Sequence, residues 1–112
     1  IEPFLSVGAP KVKAAGPSHV LHLVNPRPVR DPIAKKVLEH IKTHYPHLPF
    51  AKRWLLDTFE KRKVLYALRV LKSQHIVYEY DALATVDGSI VSQFEDTVVF
   101  IDGEKTIITR SE

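Results

Sequence analysis

The sequence has 112 residues, 45% apolar and 26% charged, with a net charge of +3. This balance predicts one small folded domain rather than a disordered chain. It contains no cysteine, which excludes disulfide bonds and thiolate metal sites. No apolar run approaches the ~20 residues that a membrane-spanning helix needs, and no signal peptide is recognisable, so we expect a cytoplasmic protein.

The N-terminal part contains two candidate strands separated by a loop. The run Ile1-Glu2-Pro3-Phe4-Leu5 predicts a short strand over residues 1–7. Glycine and proline at positions 8, 10, 16 and 17 predict a loop over residues 8–17, and partial alternation predicts a strand over 18–23. Because the chain starts within a strand and without methionine, we expect a fragment, a cleavage product or one half of a split protein.

The middle of the chain is predicted to be helical. Asp31-Pro32 combines a capping side chain with a proline suited to the first helical position, which predicts a helix over residues 31–45. A short helical turn is expected over residues 50–56. A third helix is predicted over 57–73, with Asp57 as its cap and Glu60 as the capping-box partner.

The C-terminal part changes to the period of two that is typical of strands. A strand is predicted over residues 76–80, and Asp87-Gly88 is a hairpin signal. A long strand over residues 90–101 is followed by a second turn at Asp102-Gly103 and a closing strand over 106–109. The order of elements predicts an α+β fold.

Three helices followed by a hairpin also describe a winged helix, a fold that often binds DNA. Residues 27–72 hold 12 of the 16 lysines and arginines but only four acids. The third helix would present five basic side chains to nucleic acid or to the ribosome: Lys61, Arg62, Lys63, Arg69 and Lys72. The alternative is that this basic surface is simply solvated, which is the preferred interpretation of the charge pattern alone.

Two acids are candidate functional groups. Gln93, Glu95 and Thr97 alternate along an apolar strand and are expected on one face. A carboxylate there must be exposed, paired or bound to a metal, and the residues alone favour a solvent-facing sheet. Glu2, just before Pro3, either faces a cleft or is an ordinary N-terminal acid.

The histidines and nucleophile motifs give little support for other chemistry. His40 and His44 share a helix face, but no H-E-x-x-H pattern surrounds them, so we interpret them as surface residues. His19 and His22 are expected on opposite faces of a strand. The sequence has no glycine-rich phosphate loop, G-x-S-x-G elbow or cysteine, so covalent hydrolysis has no support.

Four ordered segments resemble one enzyme family. Ile1-Glu2-Pro3-Phe4 is similar to its I-E-P-F segment, and residues 93–97 resemble its Q-F-E-H-T signature. Residues 27–30 resemble the V-P-V-R segment that comes before a helical insertion, and residues 48–55 resemble the L-P-F-A-x-R-W-L segment within that insertion. Across its whole length the chain thus resembles the archaeal type II methionine aminopeptidases.

The resemblance implies a fold and an activity. The fold would be the C-terminal half of the pita-bread (creatinase/aminopeptidase) fold with a winged-helix-like helical insertion. Residues 1–24 and 75–112 would belong to the catalytic sheet, and 25–74 to the insertion. The activity would be removal of the initiator methionine from nascent proteins by a hydroxide activated by two divalent metal ions, which could be Co, Mn, Fe or Zn.

The resemblance also implies roles for individual residues. The family holds its metals with two Asp, one His and two Glu, and the two glutamates map onto Glu2 and Glu95, with Glu2 also moving protons. His19 corresponds to a substrate-side histidine, and Leu21 and Tyr80 would line the methionine pocket. The expected partners are an upstream half carrying the Asp, Asp and His ligands, a nascent peptide with N-terminal Met, and the ribosome, with no membrane partner.

One residue departs from the motif, because Asp96 stands where the family usually has histidine. It adds negative charge beside Glu95, although strand alternation predicts that the two side chains point to opposite faces. The departure leaves open a catalytically inactive relative that keeps the fold as a binding module.

Overall fold

The computed structural model describes residues 1–110, and it divides into two compact units. The first comprises Ile1–Ala14 together with the described residues from Leu83 onward, and the second is Ala15–Ala82. The strands are β1 (Phe4–Ser6), β2 (Val12–Leu23), β3 (Phe50–Ala51), β4 (Val77–Thr85), β5 (Val91–Gln93), β6 (Val98–Ile101) and β7 (Glu104–Ile107). The helices are α1 (Pro32–His44), a 3-10 helix (Lys52–Asp57) and α2 (Lys61–Ser73), so the predicted α+β class is confirmed.

The second unit contains the hydrophobic core. Helices α1 and α2 pack together. Strands β2, β3 and β4 form a three-stranded sheet with the order β3-β2-β4. Fifteen apolar side chains are buried in one cluster: Leu21, Leu23, Val29, Ala34, Val37, Leu38, Ile41, Phe50, Leu55, Val64, Ala67, Leu68, Leu71, Ile76 and Val77. Apolar residues three and four apart line the buried sides of both helices, because such positions share one side of a helix, whereas Ile33 and Leu65 are 36% and 48% exposed.

Helix α1 begins where its capping chemistry predicted. Asp31 Oδ1 accepts hydrogen bonds from the backbone nitrogens of Ile33 and Ala34 at 2.9 and 2.8 Å. Asp31 Oδ2 also accepts from the Tyr66 hydroxyl at 2.8 Å. The bond from Ala34, followed by that from Tyr66, lowers the pKa of Asp31.

The first unit consists of short strands without a core of its own. Strand β1 pairs antiparallel with β5, placing Phe4 opposite Gln93, and β6 pairs with β7. In the described part of this unit no apolar side chain is fully buried, and Phe4, Ile90 and Phe100 are 64%, 77% and 71% exposed. Exposed apolar surface of this kind is typical of a face that another protein segment covers.

Several predicted boundaries in the N-terminal and helical regions are wrong. Strand β2 begins at Val12, so the predicted loop over residues 8–17 is too long. The strand accommodates Gly16, with φ of 96°, as a local irregularity. The expected helical turn at 50–56 is split, because Phe50 pairs with Leu21 in β3 and only the following residues form a 3-10 helix. Helix α2 begins at Lys61, and its cap Glu60 makes no side-chain capping bond.

The C-terminal strands also differ from the prediction. Gly88 lies in a turn with φ of 75°, but the strands on either side pair with different partners, β2 and β1, so this turn does not close a hairpin. The predicted strand over residues 90–101 is interrupted after Gln93 and resumes at Val98. The second hairpin is confirmed, with positive φ at Asp102 and Gly103. Its closing strand is Glu104–Ile107 rather than 106–109.

The compact units do not by themselves decide which residues form an insertion. Their boundaries fall after residues 14 and 82, whereas the prediction assigned 25–74 to the insertion and 1–24 with 75–112 to the catalytic sheet. That division and the winged-helix-like character of the insertion therefore stay predictions. Among the described helices, none is long and apolar enough to cross a membrane.

Candidate functional site

Backbone pairing brings the two motif glutamates together. Beyond the β1–β5 ladder, Phe94 N donates to Pro3 O at 3.4 Å and Asp96 N donates to Ile1 O at 3.1 Å. Residues 1–3 therefore run beside residues 94–96. Glu2 and Glu95, 93 positions apart in the chain, consequently become neighbours.

A single amide group joins the two carboxylates. Gln93 Nε2 donates to Glu2 Oε1 at 3.2 Å and to Glu95 Oε2 at 3.1 Å. The two carboxylate oxygens therefore cannot lie further apart than the sum of these distances. Within residues 1–110, neither carboxylate forms an ion pair with lysine, arginine or histidine. Two adjacent acids without a cation repel each other, and a divalent ion would relieve that repulsion.

A cavity of about 400 Å³ gives access to these acids. Its lining comprises Ile1, Glu2, Glu95, Asp96, Thr97 and Thr109. No group of three or more His, Cys, Asp or Glu side chains in the described part of the chain is arranged to hold a metal ion. Carboxylate donors suit a hard divalent cation, but two carboxylates alone are too few ligands to hold one.

Asp96 has hydrogen-bond partners that Glu95 does not share. Its carboxylate accepts from Thr109 Oγ1 and Arg110 Nε, each at 2.9 Å, and its side chain is only 11% exposed. Glu95 instead accepts from Gln93. The two consecutive acids are thus stabilised by separate groups.

The predicted substrate-side histidine lies in the second unit. His19 has a φ of 63°, which is uncommon for a residue other than glycine. Its Nδ1 lies 2.8 Å from Lys52 Nζ and 3.5 Å from Glu79 Oε1. Because lysine can only donate, Nδ1 accepts from Lys52 and cannot donate to Glu79, so we assign the Nδ1–Glu79 approach as a contact rather than a hydrogen bond. The remaining proton of neutral His19 is then on Nε2, where it can donate.

Glu79 is the acid at the centre of this contact group. Burial raises the pKa of its carboxyl, but the hydrogen bond and charge of Lys72, followed by the contact with His19, act against burial, and the net shift of the pKa is downward. Lys52 adds to this lowering. Glu79 therefore stays ionised at neutral pH, and its charge offsets part of the positive charge of Lys72 and Lys52.

The other two predicted pocket residues differ in exposure. Leu21 has no exposed surface and lies opposite Phe50 in the core. Tyr80 is 38% exposed, its hydroxyl lies 3.3 Å from His22 Nδ1, and its ring meets that of Tyr78 edge-on. Tyr80 and His19 are thus accessible to a ligand, whereas Leu21 packs inside. The pocket roles of the three residues stay predictions.

Sequence reasoning missed part of the site. Gln93 was expected on the same face as Glu95, but its bond to Glu2 depends on strand pairing that no local pattern reveals. Thr109 and Arg110 carried no signal at all, because they reach Asp96 only through the fold. The motif position of Gln93, two residues before Glu95, was the one available clue.

No protein-family model matches the sequence. The chain is 38% identical to the methionine aminopeptidase of Archaeoglobus fulgidus over 110 residues, covering 98% of the chain and 36% of that protein. It is 39% identical to the methionine aminopeptidase of Thermococcus kodakarensis over 109 residues, covering 97% of the chain and 37% of that protein. Methionine aminopeptidase 2 of Schizosaccharomyces pombe matches at 36% identity over 76% of the chain and 20% of that protein.

A solved structure of a thermophilic Arx1 is similar in fold, with a TM-score of 0.76 and 17% identity. The match covers 96% of this chain and 29% of that one. At this identity the likeness concerns the fold alone. The chain spans little more than a third of the archaeal proteins that it matches. The resemblance predicted from the four motifs is confirmed, and the chain is a relative of the methionine aminopeptidases.

Proposed function

We propose that this chain supplies two glutamate ligands, Glu2 and Glu95, to the dinuclear metal site of an enzyme that removes the initiator methionine from nascent proteins. The observation that carries the proposal is the shared Gln93 donor, which holds the two carboxylates together without a protein cation. The proposed architecture is the C-terminal half of a pita-bread fold, with residues 25–74 as its insertion. The enzyme would act in the cytoplasm.

The chemistry divides between the ions and the side chains. When bound, two divalent ions acidify water to supply a nucleophile and polarise the scissile carbonyl. Glu95 has two carboxylate oxygens and would hold both ions, while Glu2 would hold one and accept a proton from water. Gln93 keeps both acids in place. Carboxylate donors favour Mn, Fe or Co, and Zn also accepts them.

The rest of the site must come from a partner segment. We propose an upstream half that carries the Asp, Asp and His ligands. The exposed apolar side chains of the first unit support this proposal, because a unit without a core gains stability when such a segment covers it. The substrate would be a peptide with an N-terminal Met, contacted by His19, Leu21 and Tyr80.

The test is reconstitution. The chain is co-expressed with the upstream part of the Archaeoglobus fulgidus relative, and release of Met from a Met-Ala-Ser peptide is measured with Mn²⁺ or Co²⁺. Glu95→Ala is expected to lower the rate by at least about 100-fold, since losing a ligand should cost no less than losing a group that supports one. Glu104→Ala, an exposed acid on β7, is the matched control and should leave the rate unchanged. Full activity of Glu95→Ala would refute the ligand assignment.

A second candidate is a binding module for nucleic acid or the ribosome, built on a winged-helix-like insertion or on an inactive relative of the enzyme. The favouring observation is that Lys61, Arg62 and Lys63 are all exposed in the first turn of α2. Of these, Lys63 pairs with Glu60 at 2.9 Å. Binding to a fluorescein-labelled RNA stem-loop should weaken with salt and with neutralisation of these residues. Binding that ignores their neutralisation would exclude the module.

A further inference from the structure

Asp96 presents an electrostatic problem that the structure resolves. A third carboxylate beside Glu2 and Glu95 would add to the repulsion between them. Asp96 is largely shielded from water, and a partly buried charge is costly unless it is paired. Arg110 supplies the pairing cation through Nε at 2.9 Å, and Thr109 donates a second hydrogen bond. The Arg110 guanidinium also lies 5.7 Å from the centre of the Phe94 ring.

The backbone of Asp96 is tied to the other side of the site. Ile1 N donates to Asp96 O at 2.9 Å, and Asp96 N donates to Ile1 O at 3.1 Å. This reciprocal pair of bonds immediately precedes Glu2 on one segment and follows Glu95 on the other. Asp96 thus connects the segment that carries Glu95 to the segment that carries Glu2.

The third connection runs through the threonines. Thr97 N donates to Thr109 Oγ1 at 2.8 Å, and Ile108 N donates to Thr97 O at 3.0 Å. Thr109 Oγ1 thus accepts from Thr97 while donating to Asp96. The segment around Thr109 and Arg110 consequently anchors both the side chain of Asp96 and the backbone that follows it.

We propose that Asp96, Thr109 and Arg110 form a positioning network that holds Glu95 beside Glu2, with Arg110 as the cation that makes an acid acceptable at position 96. None of the three is a catalytic residue, because each acts through the placement of the two glutamates. The inference deepens the proposed function and depends on it for the identity of the bound metal. The geometric part of the inference is tested without metal.

The chain offers a built-in reporter for that test, because its only glutamines are Gln74 and Gln93. The chain labelled with ¹⁵N-glutamine is mixed with the unlabelled upstream part, so that the labelled side-chain NH2 groups are those of Gln74 and Gln93. The Gln93 amide reports the two glutamates to which it donates, whereas Gln74 reports whether the second unit stays folded. Circular dichroism reports whether the whole protein stays folded. Arg110→Gln should shift the Gln93 amide signals and leave Gln74 unchanged. Arg110→Lys, which keeps the charge, should produce a smaller shift.

The outcomes are decisive for each variant. Unchanged Gln93 signals in folded Arg110→Gln would overturn the proposal. If that variant does not fold, Asp96→Asn tests the proposal instead, because it removes the charge at nearly constant size and should also shift the Gln93 signals. Gln93 signals of Asp96→Asn that match those of the wild-type protein would then overturn the proposal. The matched control is Arg69→Gln in the second unit, which should leave Gln93 unchanged.

The affinity for Mn²⁺ supplies a second readout, because two explanations predict opposite changes of this affinity in Arg110→Gln. By charge alone, removing the Arg110 cation would tighten binding of Mn²⁺. A positioning role predicts the opposite, about 10-fold weaker binding in Arg110→Gln, as is typical for groups that support metal ligands. Equal or tighter binding would contradict the network. Failure of the wild-type protein to bind Mn²⁺ would instead contradict the proposed function. The positioning network would then be tested by the Gln93 signals alone.

Discussion

Replacing Gln93 by glutamate should remove the hydrogen-bond donor between Glu2 and Glu95 and put a third negative charge in its place. The amide lies 3.2 and 3.1 Å from the two neighbouring carboxylate oxygens. The substitution therefore removes two hydrogen bonds and adds two repulsive pairs. At about 4 Å, each pair costs about 1 kcal/mol in water and about 4 kcal/mol in a surface environment of lower effective dielectric constant. Because Glu2 and Glu95 are exposed, we expect a loss of stability near the lower figure for each pair.

Thermal unfolding by circular dichroism, with EDTA and with Mn²⁺, measures this effect. Without metal, Gln93→Glu should unfold at a lower temperature than the wild-type protein. Mn²⁺ should stabilise the variant more than the wild-type protein, because a cation relieves the added repulsion. Ser92→Glu is the matched control, since it adds the same charge on the opposite face of β5. If Gln93→Glu unfolds like Ser92→Glu and gains nothing from Mn²⁺, the reasoning about the carboxylate pair is wrong.

Three further substitutions test the surrounding structure and the predicted substrate contact. Gly8→Ala should destabilise the chain by about 1–3 kcal/mol in a urea titration, because the added Cβ would lie 2.5 Å from Asp87 Oδ2. Asp31→Ala should lower the unfolding temperature at pH 7. The difference from the wild-type protein should disappear as the pH falls through the lowered pKa of Asp31, because a carboxyl with a depressed pKa stabilises the fold only while ionised. His19→Ala should raise KM for Met-Ala-Ser more than it lowers kcat if His19 contacts substrate; an unchanged KM would remove it from the substrate site.

Local chemistry explains the parts of the fold that were predictable. The start of α1 follows from a capping aspartate and a proline at the first helical position, which act within one turn of the chain. The buried faces of α1 and α2 follow from apolar spacing. The hairpin at Asp102-Gly103 follows from the positive φ angles that its turn requires. Each of these signals involves neighbours in the sequence.

The candidate site also has features that the sequence predicts and features that only the tertiary structure sets. The sequence alone determined the family resemblance and the two glutamates as candidate ligands, because short motifs preserve residue types. Only the tertiary structure decided that Gln93 joins Glu2 to Glu95, that Arg110 pairs with Asp96, and that the strand pattern is interrupted after Gln93. These contacts join segments that are far apart in the chain, or segments whose partners are chosen by sheet pairing. No local pattern of residue types specifies such pairing, because it depends on how the whole chain closes its backbone hydrogen bonds.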